Sequence, residues 1–213
     1  MGDYTLLAVK SLMDSFAAMA LAATLGVGVI LSAGSVFGYQ GALTLLAAAF
    51  GVALGGVTGE TPWVIEMTAT GGGVVDPGDP APLIAFLEAN QLALTAVLIT
   101  HHHRDHTGGN TTLRQRYDCA IYAPDNPRIP AVTHVLRGGD SVNLAEPALH
   151  FEVLATPGHT LDHLSYVGHG SLFCGDTVFG CGCGKLFEGT PDIMAASLDA
   201  ILALPDATQV CCA

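Results

Sequence analysis

Five side chains able to bind a metal ion fall within six positions at His101-His102-His103-Arg104-Asp105-His106. Alternation along an extended backbone sends His101 and His103 to one side and His102 to the other. Asp105 and His106 then fold back over the first side from the turn beyond. Two further clusters follow, His159 in Thr156-Pro157-Gly158-His159-Thr160 and Asp176 in Cys174-Gly175-Asp176-Thr177. Three imidazoles, from His101, His103 and His159, suit a zinc ion whose fourth position stays open to water, a catalytic rather than a structural arrangement. Asp105 and His106 suit a second divalent ion, with Asp176 as a carboxylate bridging both. Two such ions share a hydroxide, lower its pKa toward neutrality and polarise a carbonyl. The chemistry expected is therefore hydrolysis with metal-bound hydroxide as nucleophile. A His-rich surface loop would explain an isolated pair of histidines, but it accounts poorly for three clusters.

The elements that must position these groups are strands. Residues 94–99 form an apolar run that reads as a buried strand, and it delivers the first cluster where strand gives way to loop. Residues 149–155 end at Pro157-Gly158-His159, and 171–174 run into Gly175-Asp176, so all three clusters can meet at one edge of a pair of sheets. Between them, residues 63–67, 73–76, 119–123, 141–144, 163–167 and 208–212 read as further strands. Asp79 and Pro80 supply an N-cap acceptor and a first-turn proline for a helix to about residue 88. This helix buries Leu83, Ile84, Phe86 and Leu87, and Asn90 is placed to close it in the left-handed conformation. A short helix is expected over 111–116 and a loop over 125–137. A last helix capped by Thr190 turns Ile193, Met194, Leu198, Ile201 and Leu202 toward the core.

Composition narrows the function classes. The 213 residues suffice for one domain with an appendage, and a formal net charge of -12 argues against nucleic acid as a partner. Six cysteines without a C-x-x-C pair read as reduced thiols rather than a disulfide framework or zinc knuckle. Residues 1–60 differ in texture, with no charge between Asp14 and Glu60. Their apolar stretches, 16–33 and 41–57, are near the lower limit for spanning a bilayer as helices. A membrane hairpin, a targeting segment and a non-native extension upstream of the domain all remain open; Lys10 is the sole basic flank, and no clear small-x-small cleavage site follows. The division expected is an apolar segment over 1–60 and a hydrolase domain over 61–213.

The sequence Thr100-His101-His102-His103-Arg104-Asp105-His106 resembles the THxHxDH signature of the metallo-β-lactamase fold, and the Pro157-Gly158-His159 and Gly175-Asp176 motifs resemble that fold's later metal motifs. Within the superfamily, Val75-Asp76-Pro77-Gly78-Asp79, His106-Thr107-Gly108-Gly109-Asn110 and Gly182-Cys183-Gly184-Lys185-Leu186-Phe187-Glu188-Gly189-Thr190 are similar to glyoxalase II, the hydroxyacylglutathione hydrolases. The resemblance spans about residues 63–213. It implies an α/β fold, the αββα four-layer sandwich, preceded here by the atypical apolar segment. It also implies thioester hydrolysis of S-D-lactoylglutathione to D-lactate and glutathione, in methylglyoxal detoxification. Two divalent ions are implied, zinc foremost, with iron or manganese at the second site. His101, His103 and His159 would hold the first and Asp105 and His106 the second, with Asp176 between them and Asp105 also orienting the attacking hydroxide. Lys185 would help hold glutathione, and Phe187 falls where some members carry a tyrosine. A monomer and a cytoplasmic hydrolase domain are expected, with membrane association only through residues 1–60. Asp162 departs from the glycine usual between the two histidines of its motif. His102 is expected to point outward as a spectator, and His163 to support the metal ligands. The family's strand resembling residues 209–213 continues into His-Glu-Tyr, whose histidine completes the second metal, and then into a helical region. This chain stops one residue short of that histidine. The alternatives are a related thioesterase or persulfide-handling enzyme of the same fold, an incomplete metal-binding fragment without turnover, and a membrane anchor carrying a decayed domain.

Overall fold

The computed structural model describes residues 63–212, Glu66 excepted; the segment 1–60, with both its apolar stretches, lies outside the described residues. No helix among the described residues is long and apolar enough to cross a membrane.

Two five-stranded sheets form the framework. The first has the order β1-β2-β3-β4-β5, from β1 (Trp63–Ile65), β2 (Gly73–Val75), β3 (Ala96–Leu98), β4 (Ala120–Pro124) and β5 (His134–Leu136). β1 runs antiparallel to β2 and the remaining neighbours are parallel. A parallel sheet is covered on both faces, so its strands are apolar on both sides. In β3, Ala96 and Leu98 enter the layer between the sheets, while Val97, with Ile99 beyond the strand, enters the layer beneath the helices. Those helices are α1 (Pro80–Asn90) and α3 (Asn110–Tyr117), and between them lies the single turn α2 (Arg104–Thr107).

The second sheet has the order β12-β9-β8-β7-β6, from β6 (Ser141–Leu144), β7 (Leu149–Ala155), β8 (Leu164–Gly168), β9 (Ser171–Gly175) and β12 (Gln209–Cys212). It is antiparallel except where β12 joins β9. β7 shows the alternation this requires: Leu149, Phe151 and Val153 are buried between the sheets, and His150 and Glu152 are exposed. Tyr166 is fully buried in that layer, and its hydroxyl donates to the Ile99 carbonyl at 2.6 Å. The Leu164 amide donates to the Thr100 carbonyl at 2.8 Å. These two bonds tie the second sheet to the point where β3 ends. At the other side of the sandwich, the Trp63 indole donates to the Cys212 carbonyl at 3.0 Å, joining the first described strand to the last. A small hairpin, β10 (Val178–Phe179) and β11 (Gly182–Cys183), precedes α4 (Pro191–Leu202).

The αββα expectation is borne out, with local corrections. α1 is closed by Gln91 at φ 53°, one residue beyond Asn90, whose side-chain amide instead donates back to Phe86. The stretch 125–137 carries the edge strand β5; only Leu136 of its three residues is buried, which leaves little apolar pattern to read. α4 does not bury its whole apolar face. Met194 and Ser197 are buried, the Ser197 hydroxyl donating to the Pro157 carbonyl at 2.7 Å, whereas Leu202 is 79% exposed. The helix docks on the Pro157-Gly158 turn through its first half and projects beyond it.

Candidate metal centre

Each chemical group sits where a strand stops. β3 leads through Ile99 and Thr100 to His101; β7 leads to His159; β9 leads to Asp176. Asp105 and His106 lie on α2, which folds back because the turn after β2 admits it. Gly78 is indispensable there, since a Cβ at that position would stand 1.7 Å from the Asp105 carbonyl oxygen. Asp76, at φ 52°, lies in the left-handed region that Asp and Asn tolerate better than other side chains.

Asp76 organises the approach to the centre. Its Oδ1 accepts from the Thr100 amide at 2.8 Å and its Oδ2 from the Thr100 hydroxyl at 2.7 Å. The same Oδ2 lies 3.0 Å from His106 Nδ1. Because the Thr100 hydroxyl proton goes to Asp76, its oxygen accepts from His101 Nδ1 at 3.0 Å. His101 therefore presents a bare Nε2. His159 donates from Nδ1 to the Lys185 carbonyl at 2.7 Å, so its Nε2 is bare as well. Both of these nitrogens converge on His103 Nδ1, at 3.0 and 2.9 Å. One nitrogen can give a proton to only one of them, so the trio is left with an unmatched lone pair. A cation satisfies all three nitrogens, which is the physical case that these residues fit a metal.

A second group adjoins the first. Ligand atoms of His101, His103 and His159 lie within 4.8 Å of one another, and so do those of His101, His106 and Asp176. Asp176 faces both groups, with Oδ1 3.2 Å from His106 Nε2 and Oδ2 3.2 Å from His159 Nε2. Asp105 stands further out; its carboxylate is 3.8 Å from His106 Nε2 and half-exposed. The structure thus brings together His101, His103, His106, His159 and Asp176, and leaves Asp105 at the rim.

The electrostatics follow from burial and from these neighbours. Burial, then the facing His106, His163, His159 and His103, hold His101 neutral, its pKa driven far down. Burial and His159 also lower His103. Burial opposes charge on His106 too, but Asp76 and Asp176 on its two sides outweigh it and raise the pKa to about 10. A ring between two carboxylates is stabilised in its protonated form. Burial would raise Asp176, yet hydrogen bonding and charge from His106 hold it below the usual carboxylate range.

Lys185 and Phe187 line the mouth of this centre. The Phe187 ring meets His103 and His159 edge-on, with centroids 5.3 and 5.2 Å away. Lys185 Nζ lies 4.7 Å from the same ring's centroid. Gly184 lets the chain pass, because a Cβ there would be 1.9 Å from the Asp176 carbonyl and 3.1 Å from His159 Nδ1.

Three residues support the centre from outside, and of these the sequence assigns a supporting role only to His163. Asp76 was part of a motif but carried no assigned role; a carboxylate at a strand end, followed by Pro77-Gly78, was its only signal. His163 is fully buried and stacks on His101 at 4.9 Å. Its Nδ1 lies 3.0 Å from the Thr156 hydroxyl, and its Nε2 accepts from the Asp176 amide at 3.2 Å. Burial lowers its pKa to about 3. The expectation that His102 is an outward spectator is corrected: it is 7% exposed, and its Nδ1 lies 2.9 Å from Asp162 Oδ1. Alternation does turn His102 away from the candidate metal ligands, but toward a partly buried carboxylate rather than solvent.

Comparison with known proteins follows the same lines. The model of the metallo-beta-lactamase superfamily matches residues 55–213, and that of a protein family of unknown function, DUF554, matches residues 1–76. A hydroxyacylglutathione hydrolase of Thiobacillus denitrificans is 74% identical over 139 residues, covering 65% of this chain and 54% of that protein. The chain spans about half the length of the curated relatives it matches. Among solved structures, ETHE1 from Myxococcus xanthus superposes with a TM-score of 0.63 at 31% identity, over 71% of this chain and 68% of that one. TTHA1623 in a di-iron-bound form superposes with a TM-score of 0.61 at 27% identity, over 71% and 85%.

Proposed function

The chain belongs to the metallo-β-lactamase superfamily, and on that premise we propose that it is a glutathione thioester hydrolase of the hydroxyacylglutathione hydrolase type. The superfamily and the two His/Asp groups support binding of divalent metal. The observation that carries the two-metal reading is Asp176, whose two oxygens each face a histidine of a different group. A hydroxyacylglutathione substrate, of which S-D-lactoylglutathione is the member proposed, is supported by the 74% identity to a protein named hydroxyacylglutathione hydrolase.

In this reading His101, His103 and His159 would hold one ion, zinc, and His106 and Asp105 would hold the other, zinc, iron or manganese, with Asp176 able to serve either. Bound divalent ions supply Lewis-acid polarisation of the thioester carbonyl and an activated water. The protein's own residues do the rest. Thr100 and Lys185, through the bonds to His101 and His159, fix the ring tautomers so that both present a lone pair inward. Asp105, at the rim, orients the attacking water. Phe187 closes one wall against bulk water, and the Lys185 ammonium beside it takes a carboxylate of the glutathione moiety. The departing glutathione leaves as a thiolate, a good leaving group that needs little general acid.

The division into residues 1–60 and 61–213 is supported by the two family matches, which take opposite ends of the chain and overlap only over 55–76. A cytoplasmic setting for the hydrolase domain is supported by six cysteines that all stand free. The deciding experiment loads the purified chain with zinc, counts metal equivalents and follows S-D-lactoylglutathione by loss of thioester absorbance. Two equivalents with turnover are expected. Two equivalents without turnover defeat the thioesterase reading, and one or none supports a metal-binding fragment.

A further inference from the structure

On the face of the strand end opposite the metal ligands, polar side chains from four separate loops meet. Asp162 pairs with His102 Nδ1 at 2.9 Å and accepts from Asn126 Nδ2 at 2.9 Å. Glu188 accepts at Oε2 from the Leu161 amide at 2.9 Å and at Oε1 from Arg128 Nη2 at 3.0 Å. Its Oε1 also lies 3.6 Å from His102 Nε2. Although His102, Asp162 and Glu188 lie close enough to suggest a third cation site, their charges are already matched: a guanidinium occupies Glu188 and two donors occupy Asp162. The group is better described as a lattice that holds loops.

What it holds is the wall of the metal centre. The backbone of this wall is fastened to His159 on one side: the Phe187 and Glu188 amides approach the His159 carbonyl at 3.1 and 3.3 Å, and the Lys185 carbonyl receives His159 Nδ1 at 2.7 Å. The Glu188 carboxylate is its side-chain fastening on the other side, to Leu161 and Arg128. We infer that Glu188 is a positioning residue that sets Lys185 and Phe187 against the metal centre, with Arg128, His102 and Asp162 fixing its carboxylate in turn. It touches no reacting atom and acts through the wall. Removing the carboxylate leaves the wall held by its backbone bonds to Gly158, His159 and Thr177 and by His159 Nδ1, with no side chain of its own fastened, so it opens locally more often without the sandwich unfolding. As a claim about substrate binding, this rests on the thioesterase reading; as a claim about the wall, it does not.

The test compares Glu188→Ala with Glu188→Gln, which keeps an oxygen for the Leu161 amide but not the charge facing Arg128. Two readouts are taken: the rate of native-state tryptic cleavage after Lys185, and the KM and kcat for S-D-lactoylglutathione, with metal content measured alongside. In Glu188→Ala, cleavage after Lys185 should quicken about tenfold and KM rise about tenfold, with kcat changed less than about twofold and metal content unaltered. Glu188→Gln should recover most of both effects. Wild-type cleavage and KM in Glu188→Ala overturn the proposal. So does a fall in metal content or kcat as large as the change in KM, in either variant. If the wild-type chain does not turn over this thioester, the functional reading fails by itself, and the cleavage rates still decide the role of Glu188.

Discussion

Asp76→Asn perturbs the candidate metal centre without touching a proposed ligand, and its effect can be worked from the geometry. Asn tolerates the left-handed backbone at this position, φ 52°, much as Asp does, so backbone strain is held constant. The carboxylate accepts the Thr100 amide on one oxygen, and it meets the Thr100 hydroxyl and His106 on the other. An amide has only one oxygen. Turned to keep the Thr100 hydroxyl and His106, it sets its NH2 against the Thr100 amide, a fully buried donor then left unmatched. That orphan costs about 1–3 kcal/mol, and the surviving bonds lose about 1 kcal/mol each once they are no longer charge-assisted. The apo protein should therefore unfold more easily by about 3–5 kcal/mol, read from urea titrations in chelator. His106 should lose part of the pull that raises it to about 10. A histidine ligand deprived of its supporting carboxylate typically loses 10–100-fold in metal affinity. Competition with a chromophoric chelator should show that loss for one of two equivalents, with the other shifted less. Stability within about 0.5 kcal/mol of wild type, with both affinities unchanged, would refute the assignment of Asp76 as the organiser of this approach.

Two further outcomes are expected. Gly184→Ala drives a Cβ into the Asp176 carbonyl, and it should weaken metal binding at least tenfold and cost about 1–3 kcal/mol, whereas Gly182→Ala, with nothing within 4 Å of its Cβ, should be close to neutral; equal effects in calorimetric metal titrations and thermal melts would contradict this. His163, buried and lowered to about 3, binds no proton in the folded apo state between that pH and the unfolded value near 6.5, while the unfolded chain does. Its contribution is therefore complete above about pH 6.5 and is lost as pH falls, at up to about 1.4 kcal/mol per unit. The apo wild type should lose stability more steeply than His163→Gln between about pH 6.5 and 4.5, and parallel urea-midpoint profiles would count against the assignment.

Much of the sandwich was legible because its strands follow a local rule. The two-residue alternation of β7 and the unbroken apolar run through β3 each identify a strand and the faces it buries. The ligand clusters were legible because His101, His103, His159 and Asp176 all follow directly on such strands. What escaped was non-local. Nothing in the order of residues shows that Asp76 lies under Thr100, 24 positions away, or that Asp162 receives His102 across 60. The exposure of Leu202 escaped for the same reason, since the apolar side of α4 was expected to bury wholly, and only its docking on Pro157-Gly158 shows how far the helix runs past its support.

The proposed ligands are divided between the two sheets: His101, His103 and His106 follow β3 in the first, His159 and Asp176 follow β7 and β9 in the second. The pair nearest in sequence across that divide, His106 and His159, is separated by 53 positions. No short segment of the nascent chain therefore contains a complete cation site, unlike a zinc finger, whose metal draws a small peptide into shape. Closing so long a loop is entropically costly before either sheet exists. The consequence is an order of events in biogenesis. The sandwich has to dock first, and metal selects the finished protein instead of guiding it there. Metal supply should thus leave the refolding rate nearly unchanged while slowing unfolding, because a bound ion fastens one sheet to the other.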